Sequence, residues 1–218
     1  MRRALLAAAV LTVMATPAFA QNYKFVIVPK AMNNPFFDFA RDGCQKRAKE
    51  LGNVECIYKG PVEHEPATQA QIIQDFITQK VDGLAISVAD VAAMTKSIEA
   101  ATAAGIPVIT FDSDAPGSKR IAYIGTDNVA AGRQAGEEIK KALPNGGKIA
   151  LFVGTMDADN ARERVQGIKE SIAGTKVVLV DVFTDQVDFA KAKANMENVL
   201  VKYPDIALLS GLWSYETP

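Results

Sequence analysis

Short runs rich in valine and isoleucine alternate along this chain with longer stretches of helical period. A parallel β-sheet requires this order, because a crossover between parallel strands usually carries a helix, and helices on both faces bury the strands. The alternation predicts an α/β fold of doubly wound parallel sheets. The predicted strands are 23–28, 54–58, 83–87, 108–112, 121–125, 148–153, 177–183 and 206–210, and the predicted helices are 35–51, 68–79, 91–104, 128–143, 161–173 and 189–202.

Glycine and proline mark breaks between these elements. Gly105 and Pro107 follow a predicted helix and lead into a strand, as glycine at a helix end and proline beyond it usually do. The sequence PNGGK forms the matching break in the second half. Between the two breaks, IGTDN connects one set of strands to the other, so we predict two lobes, at 21–125 and 126–218.

The first twenty residues differ in kind from the rest. Two arginines precede an apolar run at 4–14, and the sequence Ala-Phe-Ala ends at residue 20. These features predict a secretory signal peptide at 1–20, cleaved before Gln21. A transmembrane helix needs about 20 apolar residues, so the run is too short to favour a membrane anchor. We therefore expect a periplasmic protein.

Export bears on the two cysteines, Cys44 and Cys56. An oxidising compartment permits a disulfide between them. Cys44 shares the apolar face of a predicted helix with Ala48 and Leu51, and Cys56 lies in the next strand, which should pack beneath that helix. A disulfide and two buried free thiols both remain open.

Charge and motif content argue against nucleic-acid binding and catalysis. Lysine plus arginine (24) nearly balance aspartate plus glutamate (25), so no strongly basic surface is expected. The only histidine, His64, lies in a loop between Glu63 and Glu65, and three consecutive loop residues are a weak geometry for a metal site. No catalytic triad pattern or phosphate-binding glycine loop is recognisable. We predict neither an enzyme nor a resident metal or cofactor.

Hydrogen-bonding residues fall at the carboxyl ends of the predicted strands, where parallel sheets bind their ligands. Two sets of such strand ends imply two lobes that face one another across a cleft. The residues are Asn33 and Asn34, Ser87, Asp112 to Asp114, Thr155 to Asn160, and Trp213.

The segment NNPFF places two amides beside two phenylalanines. A sugar presents hydroxyls that donate and accept hydrogen bonds, and a C–H face that an aromatic ring can cover. Asn34 with Phe36 and Phe37 meets both requirements. Alternatively, Phe36 simply belongs to the apolar face of the following helix together with Cys44, and spacing alone leaves both interpretations open.

Asp112 ends an apolar strand, and Arg164 lies just inside a helix. An ionised carboxylate accepts strong hydrogen bonds from hydroxyls, and the planar guanidinium suits vicinal hydroxyls or a carboxylate. The alternatives are that Asp112 caps the turn that follows it and that Arg164 is solvated on the helix surface. Both pairs of interpretations remain open at this point.

Six segments occur in a fixed order: NNPFF (33–37), VDGLAIS (81–87), GIPVITFDSD (105–114), IGTDN (124–128), ARERVQG (161–167) and YPDIALL (203–209). Together they resemble the bacterial periplasmic sugar-binding proteins of the ribose/galactose-binding type, which serve ATP-driven ABC importers. The resemblance covers nearly all of the chain after the signal peptide. It implies the type I periplasmic binding protein fold, with two α/β lobes.

The resemblance also implies ligand contacts. The implied contacts are Asn34, Phe36, Phe37, Ser87, Asp112, Thr126 at the hinge, and Arg164. The predicted site also includes three residues that lie at or beside the same strand ends, namely Ser113, Thr155 and Trp213.

Two departures from ribose binders concern this site. Ser113 follows Asp112 where they carry arginine, and Trp213-Ser214 stands where they carry Asn-Asp. The tryptophan could stack on the second face of a sugar. Another pentose, a hexose or a sugar alcohol is therefore as good a candidate as ribose.

Family members continue with further strands and helices beyond the point where this sequence stops. We therefore expect a C-terminally truncated chain whose second lobe and hinge are incomplete. The implied function is that of a monomeric binding protein that closes on a small sugar or polyol and docks on an ABC importer permease. Alternatives are a sugar sensor that docks on a chemoreceptor, and an exported glycosidase that uses Asp112 and Asp157.

Overall fold

The computed structural model describes residues 22–216 of the chain. The predicted signal peptide at 1–20 lies outside the described residues. Among the residues that are described, no helix combines the length and the apolar character needed to cross a bilayer.

The predicted strands are present and form two separate sheets of parallel strands. In chain order they are β1 (Tyr23–Val28), β2 (Val54–Tyr58), β3 (Gly83–Ile86), β4 (Val108–Phe111), β5 (Ala122–Ile124), β6 (Gly147–Val153), β7 (Val177–Thr184) and β8 (Ile206–Gly211). The first sheet has the spatial order β2-β1-β3-β4-β5, and the second has the order β7-β6-β8. The predicted α/β class is thus confirmed, while the lobe boundary at 125/126 stays a prediction.

Six helices cover these sheets, as the alternating pattern predicted. They are α1 (Asp38–Leu51), α2 (Pro66–Thr78), α3 (Val91–Ala103), α4 (Asn128–Ala142), α5 (Asp159–Ile172) and α6 (Phe189–Lys202). The predicted helix at 35–51 differs at its start, where Pro35–Phe37 forms a 3₁₀ turn. Pro35 has a fixed φ angle, and the Asn34 side chain accepts the Phe36 N–H, so the turn is capped before α1 begins.

The strand β6 is the buried centre of the second sheet. Its residues 149–153 are at most 1% exposed, because helices cover both faces of this strand. Val165 of α5 packs on one face and Val199 of α6 on the other. In the first sheet the core lies against α2 and α3, where Ile73 and Met94 are fully buried.

Two glycines allow α4 and α5 to approach each other at backbone distance. A Cβ atom at Gly132 would lie 2.2 Å from the carbonyl oxygen of Arg164, and one at Gly167 would lie 2.2 Å from that of Val129. Any larger residue at either position would force the helices apart. The close approach places Arg164 of α5 beside Asn128 at the start of α4.

Cys44 of α1 and Cys56 of β2 form a disulfide, with their Cα atoms 6.0 Å apart. This settles the alternatives that the sequence left open in favour of the bridge. The disulfide ties α1 to the edge strand of the first sheet. Because α1 follows directly on Phe36 and Phe37, it also anchors the segment that carries the aromatic pair.

Candidate functional site

A cavity of about 130 Å³ lies where the carboxyl ends of the two sheets meet. Segments that follow β1, β4, β7 and β8 line it, together with the start of α5. Parallel sheets bind ligands at this edge, which makes the cavity the candidate site. Its lining residues are Lys30, Ala31, Asn34, Phe36, Phe37, Asp112, Asn160, Arg164, Val187, Trp213 and Ser214.

The two phenylalanines after β1 have different environments. Phe36 is 44% exposed, whereas Phe37 is 2% exposed. The rings meet edge to face at 5.2 Å, and Phe37 packs in the same way on Phe111 at 6.2 Å. Phe37 is thus a core residue that reaches the cavity, and it supports Phe36, whose ring is the more accessible of the two.

Asp112 lies immediately after β4 in the left-handed backbone region, with φ +60°. This conformation is uncommon for a residue other than glycine and concentrates at functional sites. The carboxylate oxygen Oδ2 accepts a hydrogen bond from the Ser87 hydroxyl at 2.7 Å and lies 3.2 Å from the Lys30 ammonium. The Asp112 side chain therefore points toward buried partners instead of capping the next turn.

Lys30 is a charged residue of this site that sequence reasoning missed, as it missed Ala31, Val187 and Ser214. It is 3% exposed, although lysine is among the residues least often buried. Its ammonium group lies 3.2 Å from Asp112 and 4.3 Å above the centre of the Trp213 ring. Burial lowers the pKa of Lys30, which the neighbouring Asp112 opposes and Arg164 reinforces. Its position two residues after β1, beside the predicted strand end, was the available signal.

Arg164 is fixed by two hydrogen bonds. Its Nε donates to the Asn128 side-chain oxygen at 2.9 Å, and its Nη1 donates to the main-chain oxygen of Leu212. The interpretation of Arg164 as a solvated surface residue is therefore wrong. The first bond depends on the close approach of α4 and α5, and the second ties the guanidinium to the segment after β8.

Two side chains at the cavity carry buried polar atoms without a partner among the described residues. They are the Asn160 oxygen Oδ1 and the Trp213 nitrogen Nε1, one acceptor and one donor. A buried polar group without a partner is strongly unfavourable. A ligand that carries hydroxyls could satisfy both, because each hydroxyl both donates and accepts.

Four predicted site residues do not line the cavity. Ser87 is buried and donates to Asp112, so it lies one contact away. Ser113 and Thr155 are buried, and the Thr155 hydroxyl makes hydrogen bonds within its own loop. Thr126 is exposed, and its main-chain oxygen accepts a hydrogen bond from the Asn128 side-chain amide. Direct ligand contact by these four residues stays a prediction.

The loop histidine, His64, is half-buried. Burial lowers the pKa of His64, and the nearby charge of Lys30 lowers it further. Within residues 22–216, no group of three or more histidine, cysteine or acidic side chains could hold a metal ion. In the described structure, the Glu63-His64-Glu65 segment therefore does not form such a site.

Residues 25–217 match the model of the periplasmic binding protein domain. The ribose import binding protein RbsB of Bacillus subtilis is 34% identical over 175 residues, which are 80% of this chain and 56% of that protein. The chain thus spans little more than half the length of this relative.

Solved structures agree with this match. A solute binding protein of an ABC transporter from Burkholderia graminis, in complex with D-arabinose, has a TM-score of 0.84 and 33% identity, over 90% of this chain and 68% of that chain. The fructose binding periplasmic domain of a hybrid two component system has a TM-score of 0.82 and 26% identity, over 87% and 63%. With its two parallel sheets and its cavity at their carboxyl ends, this chain belongs to the periplasmic binding protein domain family.

Proposed function

We propose that the protein is a periplasmic substrate-binding protein that captures a monosaccharide or sugar alcohol in the cavity and delivers it to an ABC importer. The observation that carries this proposal is the set of unpaired buried groups at the cavity, the Asn160 oxygen and the Trp213 nitrogen, beside the Asp112 carboxylate. Hydroxyl groups are the ligand chemistry that complements acceptors and donors on residues that line one cavity.

The charged groups have distinct roles in this proposal. Asp112 accepts hydrogen bonds from ligand hydroxyls through the oxygen that Ser87 and Lys30 leave free, since both contact Oδ2. Lys30 and Arg164 donate to ligand oxygens. Such charge-assisted bonds are about twice as strong as neutral ones, and the buried surroundings of Lys30 exclude competing water.

The aromatic groups differ in what they can offer. Phe36 presents a half-exposed ring that can cover the C–H face of a sugar. The ammonium of Lys30 already lies over one face of the Trp213 ring. We therefore assign Trp213 a hydrogen bond through Nε1, and we retain stacking against the sugar only for its other face.

We expect ligand binding to favour a closed form, in which the two sheets lie closer together on either side of the cavity. The cavity receives Asn34, Phe36 and Asp112 from the first sheet and Arg164 and Trp213 from the second. A ligand that contacts both sides binds the closed form more tightly than an open one and shifts the population toward closure.

The test is calorimetry with the complete protein against a panel of pentoses, hexoses and polyols. We expect one member or a few related members to bind with a dissociation constant at or below the micromolar range, which corresponds to about −8 kcal/mol. The same sugar should then be taken up more slowly by a strain that lacks the protein. If no member of the panel produces saturable heat, the proposal is wrong.

A sensory role is the second candidate, and one finding favours it. A similar fold serves as the fructose binding periplasmic domain of a hybrid two component system. Under this hypothesis the closed form docks on a signalling receptor. A deletion strain that loses chemotaxis toward the sugar but retains its uptake would favour the sensor, and the reverse outcome would favour transport.

We do not favour a glycosidase. The two carboxyl groups of such an enzyme flank one bond, whereas Asp112 supplies the only carboxylate among the described residues that line the cavity. Asp157, the second candidate, does not line the cavity, and its side chain accepts a hydrogen bond from Thr155. Turnover of a chromogenic glycoside would contradict this conclusion.

A further inference from the structure

Two segments of the second sheet lie beside the end of its central strand, β6, and reach the cavity. Because the strand order is β7-β6-β8, the segments that follow β7 and β8 flank the end of β6 from opposite sides. The first contributes Val187 to the cavity, and the second contributes Trp213 and Ser214. Their relative position therefore sets the shape of this side of the site.

Asp185 is the point where the two segments are joined. It is fully buried, at 0% exposed. Its oxygen Oδ1 accepts a hydrogen bond from the Tyr215 hydroxyl at 2.6 Å and another from the Val187 N–H at 2.8 Å. One carboxylate thus contacts the segment after β8 and holds the backbone of a cavity residue in its own segment.

The segment that Asp185 holds has an unfavourable backbone conformation. Gln186 and Val187 both have positive φ angles, +60° and +64°. A β-branched residue such as valine rarely adopts this region, and surrounding contacts must hold it there. The hydrogen bond from Val187 to Asp185 is one such contact, and the Gln186 N–H donates to the Gly154 main-chain oxygen at 2.7 Å as another.

The opposite segment is held equally closely. The Glu216 carboxyl oxygen Oε2 accepts hydrogen bonds from the N–H groups of Leu212 and Trp213, both at 2.8 Å. The Tyr215 ring stacks on Phe189 at 4.9 Å. Gly154 leaves room for the Trp213 ring, since a Cβ atom there would lie 2.2 Å from it.

We propose that Asp185 and Tyr215 form a clasp that positions Val187 and Trp213 at the ligand cavity. Neither clasp residue lines the cavity, so both act as positioning residues rather than as ligand contacts. The inference rests on the proposed sugar-binding function of that cavity. Breaking the clasp releases Trp213 from its place and weakens the binding of the sugar.

The test is Tyr215→Phe in the complete protein, which removes the hydroxyl and keeps the ring that stacks on Phe189. The matched control is Tyr58→Phe, because the Tyr58 hydroxyl is also buried but has no hydrogen-bond partner among the described residues and lies outside the cavity. Trp213 is the only tryptophan of the sequence, so its fluorescence emission and its quenching by acrylamide report its position directly.

We expect Tyr215→Phe to bind the sugar selected by calorimetry about five- to tenfold more weakly, as the loss of one buried hydrogen bond implies. Acrylamide should quench Trp213 more strongly in this variant, and Tyr58→Phe should match the wild type in both measurements. Asp185→Ala should show a larger effect, and Asp185→Asn, which keeps the acceptor oxygen, should recover most of the lost affinity.

Equal affinity and equal quenching in Tyr215→Phe and the wild type would overturn the clasp. A lower melting temperature with unchanged affinity and quenching would also overturn it, because that result indicates structural support alone. If the wild type binds no sugar, the proposed function fails, and the quenching of ligand-free Trp213 still decides whether the clasp positions it.

Discussion

The ammonium of Lys30 lies 4.3 Å above the centre of the Trp213 ring. Lys30 follows β1 of the first sheet, and Trp213 follows β8 of the second, so this contact joins the two sides of the cavity. A buried ammonium over an indole ring contributes about 2 kcal/mol or more. The same group pairs with Asp112, which makes Lys30 the charged centre of the site.

Replacing Lys30 by methionine should weaken sugar binding by at least about tenfold, because the site loses a charged donor and Asp112 loses its ion pair. Trp213 emission should change in the ligand-free variant as well, since the charge over its ring is gone. Titration calorimetry and fluorescence measure the two effects. Lys46→Met, on the exposed side of α1, is the control, and equal affinities of the two variants would contradict this role of Lys30.

Arg164→Lys should reduce sugar affinity by a factor of about ten or more. Lysine cannot form the two bonds that the guanidinium makes to Asn128 and to the Leu212 main-chain oxygen. The group would therefore lose its fixed orientation at the cavity even though its charge is kept. Arg133→Lys on an exposed face of α4 provides the comparison, and calorimetry gives both affinities. Unchanged binding in Arg164→Lys would exclude a role for the fork geometry.

Reduction of the disulfide should lower stability by about 3 kcal/mol, the usual value for a short closed loop. The bridge spans 12 residues between α1 and β2. For a domain of this size, the melting temperature should fall by roughly 6 to 12 °C. Differential scanning calorimetry of the wild type with and without reductant measures the shift. A Cys44→Ser/Cys56→Ser variant should melt at the reduced temperature in both conditions, and any further effect of reductant on it would point to another cause.

Glu216 should make stability fall as the pH rises. Burial raises the pKa of its carboxyl to about 8 from an ordinary value of 4.5, so the folded state holds a proton that the unfolded state releases. The folded state is therefore favoured below about pH 4.5, and this advantage is lost as the pH rises to about 8. The difference should amount to a few kcal/mol at most.

Melting curves between pH 5 and pH 9 test this sign. Glu216→Gln keeps an acceptor for the N–H groups of Leu212 and Trp213 but cannot ionise, so it should melt at a higher temperature than the wild type at pH 9. Near pH 5 the two should agree closely. The exposed Glu197→Gln should leave the pH profile unchanged, and a wild-type profile parallel to that of Glu216→Gln would contradict the raised pKa.

The arrangement of strands and helices could be predicted because the period of the apolar residues is a local property of the sequence. Ser87 and Asp112 were both assigned to strand ends, and both lie one residue beyond the observed strands. This position matters for the site. Beyond the strands, side chains need not point to the two faces of the sheet in turn, and the Ser87 hydroxyl donates a hydrogen bond to Asp112. The predicted strand ends therefore located both residues correctly at the carboxyl edge of the first sheet.

Side-chain direction in the loops could not be predicted, because it depends on contacts between distant segments. Lys30 is buried at a place where Asp112 and Trp213 approach it from the ends of two other strands. Phe36 and Phe37 are neighbours of the same chemistry, yet the packing of Phe111 selects one of them for the core. Nothing local to the sequence distinguishes the two rings.

The left-handed backbone conformation of Asp112 could not be predicted either. Aspartate adopts this region more often than most residues, but the sequence gives no sign that it does so here. The Tyr123 hydroxyl, which donates to the Asp112 main-chain oxygen at 3.0 Å, helps to hold the backbone in place. That contact arises from the neighbouring strand β5 and becomes visible only in the folded chain.

Sugar titration of the complete protein, followed through Trp213 fluorescence in the wild type and in Asp112→Asn, tests the central claim most directly. Asparagine tolerates the left-handed backbone at this position, so the variant removes the charge without forcing the chain to move. We predict a saturable change of emission with one sugar of the panel and about 10- to 100-fold weaker binding in Asp112→Asn, with Asp75→Asn on the exposed face of α2 unchanged. Equal affinity in Asp112→Asn, or no sugar that changes the emission of the wild type, would contradict a sugar site in this cavity.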